Sequence, residues 1–276
     1  MITASIVLFK TKICDLLNVT KSYCPSENRK LFLVDNSPEK SVLPDEITND
    51  RNIEYIFSGE NRGYGAGHNI AIKKAFELKS DFHVVLNPDL LFEPSVIDAL
   101  ESYMKLDSRI GQLSPKIVNP NGELQYLCKL IPTPFDLIFK RFFPKSFTEK
   151  RSQKFQLKFT GYKKMMDVPY LSGCFMFFRM SALKEMGLFD GRFFMYPEDI
   201  DITRRMHERF RTVFVPDVQI IHAHAAESYK NKKMLKIHIK NMIWYFNKWG
   251  WFFDKERRNV NNQVLKDLEY KVGKYE

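Results

Sequence analysis

Four short apolar runs in the first third of the chain constrain the fold more than any other feature. Residues 2–10 carry Ile6, Val7, Leu8 and Phe9 in sequence; residues 31–35 read LFLVD and stop at Asn36-Ser37-Pro38; residues 53–57 form a third run; residues 82–86 read FHVVL and stop at Asn87-Pro88. The runs are continuous rather than alternating, the pattern of strands covered on both faces. Between the third and fourth lies NRGYGAGHNIAIKKAFELKSD, where three glycines precede Ala71, Ile72, Ala75, Phe76 and Leu78 at helical spacing. Strand, glycine loop, helix and strand make a βαβ unit. A further helix is expected over residues 95–105, after Pro94. The class is therefore α/β, a mostly parallel central sheet flanked by helices.

The rest of the chain is less regular. Residues 140–164 hold nine Lys/Arg against one Glu, interleaved with Phe142, Phe143, Phe147, Phe155 and Phe159. With the Pro-broken IPTPFDLIF before it, the stretch at about 130–165 reads as a basic, Phe-rich insertion or flap. Residues 168–179 (VPYLSGCFMFFR) read as one long strand with a Ser-Gly interruption. SALKEMG reads as a short helix with Ser181 as N-cap and Gly187 as its stop. A helix follows Pro197, whose place in the first turn and following acids suit the positive end of a helix. Residues 212–215 and 218–221 read as two short strands. An amphipathic, aromatic segment runs from 232 to 251. The organisation expected is a catalytic domain over 1–230 and an amphipathic helical extension over 231–276.

Composition narrows the partners. Lys and Arg number 43 against 33 Asp and Glu, a formal charge of +10, which favours phosphate-bearing partners without choosing among them. The four cysteines are scattered with no zinc-type spacing. The N-terminus lacks the pattern of a signal peptide, and no apolar run approaches the ~20 residues of a membrane span. These features read as a cytosolic chain with reduced thiols.

Five groups of residues could carry chemistry, and each has a purely structural alternative. Asp35 ends an apolar strand, where a carboxylate can accept from a base or ribose; it could equally brace a turn. Asn61-Arg62-Gly63-Tyr64-Gly65-Ala66-Gly67 opens a helix and suits close approach to an anion, or tight helix–strand packing. Its spacing is neither dinucleotide-type nor P-loop. Asn87-Pro88-Asp89 ends the fourth strand, where a hard oxygen ligand can hold Mg²⁺ or Mn²⁺ against a diphosphate, or simply make a turn. Glu198, Asp199 and Asp201 cluster at a helix start, where one could act as general base or all could serve the helix dipole. His222 and His224 follow a strand as candidate metal ligands or structural histidines.

The order of these elements resembles the family 2 glycosyltransferases over about residues 3–253. The matching stretches are SIVLF, VDNS with Asp35, ENRGYGAGHN, NPD, LSGCFMFFR, FDGRFFMYPEDIDITRR and His222; NRGYGAGHN, FFMYPEDID and the WYFNKWGWFFD tail are most similar to the bacterial rhamnosyltransferase branch. The resemblance implies a GT-A fold, with a Rossmann-like nucleotide half and an acceptor half, and inversion at the anomeric carbon. It implies that Asp35, Asn61, Arg62, Gly63, Gly67 and Asn87 line the nucleotide-sugar pocket. Asp89 matches the last acid of a DxD-like metal motif whose first acid is here Asn87, and His222 completes the shell, with His224 as its competitor. Asp199 matches the catalytic base, with Glu198 beside it. Asp201, His224 and Trp249 are acceptor-side candidates.

The donor implied is a dTDP- or UDP-sugar, with dTDP-rhamnose preferred and a UDP-hexose as the alternative. The acceptor implied is a polyprenyl-diphosphate-linked glycan of a surface polysaccharide. The basic aromatic C-terminal segment suits peripheral contact with anionic lipid at the inner face of the bacterial membrane, and a homodimer is compatible with it. A single-stranded nucleic-acid binder is disfavoured because acids at 89 and 198–201 would repel a phosphate backbone. A nucleotidyltransferase is disfavoured because Lys10-Thr11-Lys12, rather than a Gly-rich loop, follows the first strand.

Overall fold

The computed structural model describes residues 1–138, 143, 145–223 and 232–270. In chain order its elements are β1 (Ile2–Leu8), α1 (Ile13–Tyr23), β2 (Arg29–Asp35), α2 (Asp45–Thr48), β3 (Ile53–Phe57), α3 (Tyr64–Glu77), β4 (Phe82–Leu86), β5 (Leu90–Leu91), α4 (Ser95–Leu106), β6 (Ile110–Val118), β7 (Cys128–Lys129), α5 (Pro134–Leu137), α6 (Lys145–Phe155), β8 (Met166–Asp167), β9 (Tyr170–Leu171), β10 (Phe175–Arg179), α7 (Met180–Met186), α8 (Glu198–His207), β11 (Arg211–His222), α9 (Lys232–Trp249) and α10 (Lys255–Asp267).

Nine strands form one sheet in the order β3-β2-β1-β4-β10-β6-β11-β5, with β8 paired to β11. The first four are mutually parallel, as their continuous apolar runs require. β10 enters antiparallel between β4 and β6, and β11 then runs parallel to β6. Side chains alternate between two apolar layers. Ala4, Ile6, Val84 and Leu86 face α1 and α4, and Val7 and Val85 face α3, α7 and α8. The carboxyl ends of β1, β2 and β4, with the loops after them, build one rim of the sheet.

Three local departures from the sequence expectations have physical causes. The run at 168–179 divides into β9 and β10, because the chain leaves the strand at Ser172-Gly173-Cys174 to contact other loops. The two runs at 212–221 are a single strand, β11, with a bulge between Val215 and Gln219 where Pro216 has no N–H to donate. The cap of α7 is Arg179, not Ser181, while Gly187 ends the helix with φ 82° and donates its N–H to Leu183 O.

The basic insertion is packed rather than loose over its second half. Leu157 and Tyr162 are buried with Cys128, Leu130, Val264 and Leu265, and the Tyr162 hydroxyl donates to Cys128 O at 2.7 Å. The C-terminal helices are likewise bound to the sheet domain. Arg204 of α8, 1% exposed, makes a two-pronged ion pair with Asp254 at 2.8 and 3.0 Å and lies 4.0 Å from the Trp249 ring. Asp254 also caps α10, accepting from Arg257 N. Asp254→Ala would leave the buried Arg204 guanidinium with the more exposed Glu256 carboxylate, 3.0 Å away, in place of its two-pronged partner, and remove that cap. Chemical denaturation should show a loss of about 3–5 kcal/mol, and a loss near zero would mean that the clamp does not hold α9 and α10 to the core.

Candidate active site

At the rim, the glycine loop is a close approach of backbones. Gly63 has φ 84°, and a β-carbon there would lie 2.3 Å from Phe194 O. A β-carbon on Gly65 would meet Phe189 at 2.8 Å and Glu198 at 3.3 Å. The loop between α7 and α8 is thereby pressed onto the start of α3, an arrangement sealed by Tyr64 N–H donating to Phe194 O. Gly67 lies against Val7 and Asn36, and Asn36 donates to Gly63 O. Asn61 and Arg62 are exposed at the mouth; Asn61 Oδ1 accepts from Gly63 N and Arg62 pairs with Glu60.

Tyr64, given no role of its own within the Asn61–Gly67 stretch, joins the segments. Its hydroxyl lies 2.6 Å from Gly173 O and 3.0 Å from Asn87 Oδ1. Burial raises its phenol well above the ordinary value, helped by Cys174 and by the acids at 198, 199 and 89. Tyr64 thus ties the glycine loop to Gly173, whose N–H reaches Asp199, and to Asn87, two residues before Asp89. The sequence marks Tyr64 only as an aromatic among glycines, too weak a signal to single it out.

Asp89 and His222 meet at 3.3 Å, Asp89 Oδ1 to Nε2. Gln125, between β6 and β7, donates from Nε2 to Asn119 Oδ1 and His222 O, so its Oε1 is the atom turned to His222 Nδ1 at 3.0 Å. Nδ1 therefore carries hydrogen and Nε2 faces Asp89, as in metal-ligating histidines whose outer nitrogen is held by a carbonyl. Burial opposes charge on the ring, but hydrogen bonding and charge from Asp89 and Cys174 outweigh it and push the imidazole up to about 10, so a cation would have to displace the proton on Nε2. A carboxylate and an oriented imidazole fit Mg²⁺ or Mn²⁺. Among the described residues they are not part of a group of three ligating His, Cys, Asp or Glu side chains, so a cation would take further oxygens from water and diphosphate. Asn87 N–H is bonded to Cys174 O, and its amide lies 3.4 Å from His222 Nε2.

The acids of α8 are buried at its N-terminus: Glu198 is 4% exposed and Asp199 9%. Asp199 Oδ2 accepts from Gly173 N at 2.9 Å and Oδ1 from Ile200 N at 2.8 Å. Burial raises the Asp199 carboxyl, and Lys129 with the two backbone donors offsets only part of that. Burial and the Asp199 charge raise Glu198 further, and its Oε2 is buried without a hydrogen-bond partner. The pair therefore keeps one proton, with Asp199 ionising first.

The remaining candidates lie elsewhere. Asp201, fully buried, accepts from Trp249 Nε1 at 2.8 Å and pairs with Lys248 and Arg205. The structure thus brings two acceptor-side candidates together, but facing inward, as a joint between α8 and α9. Asp35 is fully buried; Ser37 N, Ser41 N and Tyr55 OH fill three of its roughly four acceptor positions. Burial would raise its carboxyl, but these donors hold it below the ordinary value. Asp35 braces the 37–41 loop that walls the strand end. His224 lies outside the described residues.

Comparison with known proteins agrees with this geometry. Residues 21–247 match the family described as "Glycosyltransferase like family 2". The chain is 28% identical over 213 residues to an N-acetylglucosaminyl-diphospho-decaprenol L-rhamnosyltransferase of Mycobacterium tuberculosis, covering 72% of this chain and 67% of that one. It is 29% identical over 197 residues to the low-salt glycan biosynthesis hexosyltransferase Agl10 of Haloferax volcanii, covering 70% and 58%. In fold it is similar to S. aureus TarS in complex with UDP, with a TM-score of 0.58 at 15% identity over 97% of this chain and 70% of that one. It is also similar to the mannosyltransferase PcManGT from Pyrobaculum calidifontis in complex with GDP-Man and Mn²⁺, with a TM-score of 0.55 at 13% identity over 97% and 74%. A glycine-opened helix, an Asp–His pair and a proton-sharing Glu–Asp pair, with a family match over most of the chain, lead to one conclusion: this protein belongs to the family 2 glycosyltransferases.

Proposed function

We propose that this glycosyltransferase moves L-rhamnose from a dTDP-sugar, with inversion, to a hydroxyl of a lipid-linked glycan. The observation that carries the chemistry is Asp199. Its carboxylate is buried, held by two backbone N–H groups, and tied through Gly173 and Tyr64 to Asn87-Pro88-Asp89. The acceptor O–H gives its proton to Asp199 as the oxygen attacks the anomeric carbon. The bond from that carbon to the diphosphate breaks, and the nucleoside diphosphate leaves. One displacement inverts the centre and requires no enzyme nucleophile. Glu198, protonated while Asp199 is ionised, keeps a second charge out of the site. Asp89 and His222 would hold Mg²⁺ or Mn²⁺, which neutralises charge on the leaving diphosphate. Asp35 and the 37–41 loop, with Asn61, Arg62, Gly63 and Gly67, would form the nucleotide wall.

The rhamnosyl reading rests on the mycobacterial relative, whose name also supplies the polyprenyl-diphosphate acceptor. The hexosyltransferase relative and the UDP-bound neighbour favour a second reading, a UDP-hexose donor with the same reaction. A thermal-shift series with dTDP, UDP and GDP, each with and without Mn²⁺, tests both. A pyrimidine diphosphate should raise the melting temperature with metal present and GDP should not; equal shifts from UDP and GDP would undo the pocket assignment, and a larger shift from dTDP than from UDP favours rhamnose.

Asp199→Asn should lower kcat by about 10²–10⁴-fold while donor binding is retained. Turnover at the wild-type rate would remove Asp199 from the base role. Because the base works ionised and its carboxyl is raised, activity should climb with pH above the ordinary carboxylate range. Stability moves the other way. The folded pair holds its proton more tightly than the unfolded chain, so its contribution is complete at low pH and is lost as pH rises through the raised folded values. Glu198→Gln should accordingly gain stability over wild type at pH 8 and not at pH 5, and a gain that is the same at both would mean that Glu198 titrates normally.

Tyr64→Phe keeps the ring and removes the bridge. It should reduce kcat by about 10-fold or more with the melting temperature held within a few degrees. Wild-type kcat in this variant would mean that the hydroxyl positions nothing.

A further inference from the structure

α9 has two unlike faces. Asn241, Met242, Tyr245 and Phe246 are buried; Asn241 donates to Met195 O, and Tyr245 and Phe246 pack with Ile200 of the catalytic helix. The opposite row is Lys236, Ile239, Lys240, Ile243 and Trp244, which line a shallow surface groove of about 260 Å³. Ile239, Ile243 and Trp244 are 37%, 39% and 39% exposed, and Phe252 and Phe253, just past the helix, are 68% and 93% exposed. No Asp or Glu occurs anywhere in α9. Lys248 turns inward to Asp190 and Asp201, whereas Lys236 and Lys240 stand on the outer row, Lys240 lying 4.7 Å from the Trp244 ring centroid.

We propose that this outer row, continued by Phe252 and Phe253, is the face on which the protein lies against an anionic lipid bilayer. The pattern is that of an interfacial helix: an aliphatic and aromatic stripe to enter the headgroup boundary, lysines to meet lipid phosphates, and tryptophan at the interface. Charge decides against other occupants. A second copy presenting the same row would set Lys236 and Lys240 against lysines. A single-stranded nucleic acid could stack on Trp244, Phe252 and Phe253, but between the lysines it would meet Ile239 and Ile243, aliphatic surface that suits acyl chains rather than bases. No described helix is long and apolar enough to cross a membrane, so the contact is peripheral.

The placement has a functional consequence. The inner row of α9 touches α8, and the Asp201–Trp249 bond ties the two helices. Docking of the outer row therefore holds the Glu198–Asp199 pair one helix away from the lipid surface. This deepens the lipid-linked acceptor reading but does not depend on the donor.

The test uses the full chain without donor or acceptor. Vesicles of phosphatidylglycerol with phosphatidylcholine, and of phosphatidylcholine alone, are sedimented at low and high salt. The protein should sediment with the anionic vesicles at low salt, with a blue-shifted tryptophan emission, and be released at high salt. The double variant Lys236→Glu/Lys240→Glu should lower anionic-vesicle affinity by about 10-fold or more. Phe252→Ser/Phe253→Ser should lower binding to the same vesicles while leaving the salt dependence in place. Protein that stays in the supernatant with both vesicle types overturns the proposal, as does wild-type binding by both double variants. A concentration-dependent dimer that Lys236→Glu/Lys240→Glu breaks would assign the face to a second copy and also overturn it. Since no sugar is involved, either outcome leaves the transfer chemistry standing or falling on its own assays.

Discussion

Three backbones meet at the rim of the sheet with little or no room for a β-carbon, and the site depends on that meeting. A side chain on Gly63 would strike Phe194 O at 2.3 Å, one on Gly65 would strike Phe189 and approach Glu198, and one on Gly173 would lie 3.1 Å from Asp199 Cβ. Close approach lets Gly173 N–H reach Asp199 Oδ2 and Gly173 O reach the Tyr64 hydroxyl. Strand end, glycine loop and acidic helix are thereby held at hydrogen-bond distance, where a flexible assembly would lose the geometry on which rate depends.

Within that frame, burial sorts the charges. Two adjacent carboxylates at the start of α8 resist ionising together in a dry setting, so near neutral pH one proton stays with the pair and the better-donated acid, Asp199, ionises first. Across Tyr64, Asp89 and His222 form the opposite arrangement, an acid and an oriented imidazole ready for a hard cation. The Arg204–Asp254 clamp then fixes α8 to the C-terminal helices. In the proposed reaction, one side of the site would handle the acceptor proton and the other the donor diphosphate.

Much of this was legible in the chain. Continuous apolar runs marked β1 to β4, and the glycines before Ala71 and Ile72 marked the start of α3. Asp89, Glu198, Asp199 and His222 were singled out by their order along the chain, although each alone could equally have served a turn, a helix dipole or a structural ring. β6 was not legible, since Gly111, Gln112, Ser114 and Pro115 interrupt its apolar pattern; it forms because β10 and β11 pair with it on both sides. Tyr64 was hidden because its partners, Asn87 and Gly173, are remote in sequence. The role of Asp201 and Trp249 in joining helices was hidden for the same reason.

The sequence by itself determined where β1 to β4, α3, α4 and α8 lie, which positions lack side chains, and which acids stand at the positive end of α8. Those are properties of local periodicity, backbone freedom and the helix dipole. Only the tertiary structure decided that Asp89 meets His222, that Gln125 orients the ring, that Glu198 keeps a proton beside Asp199, and that one row of α9 turns to solvent while the other grips α8. Pairing and burial belong to groups far apart along the chain, and their energies exist only once packing has excluded water and set the distances.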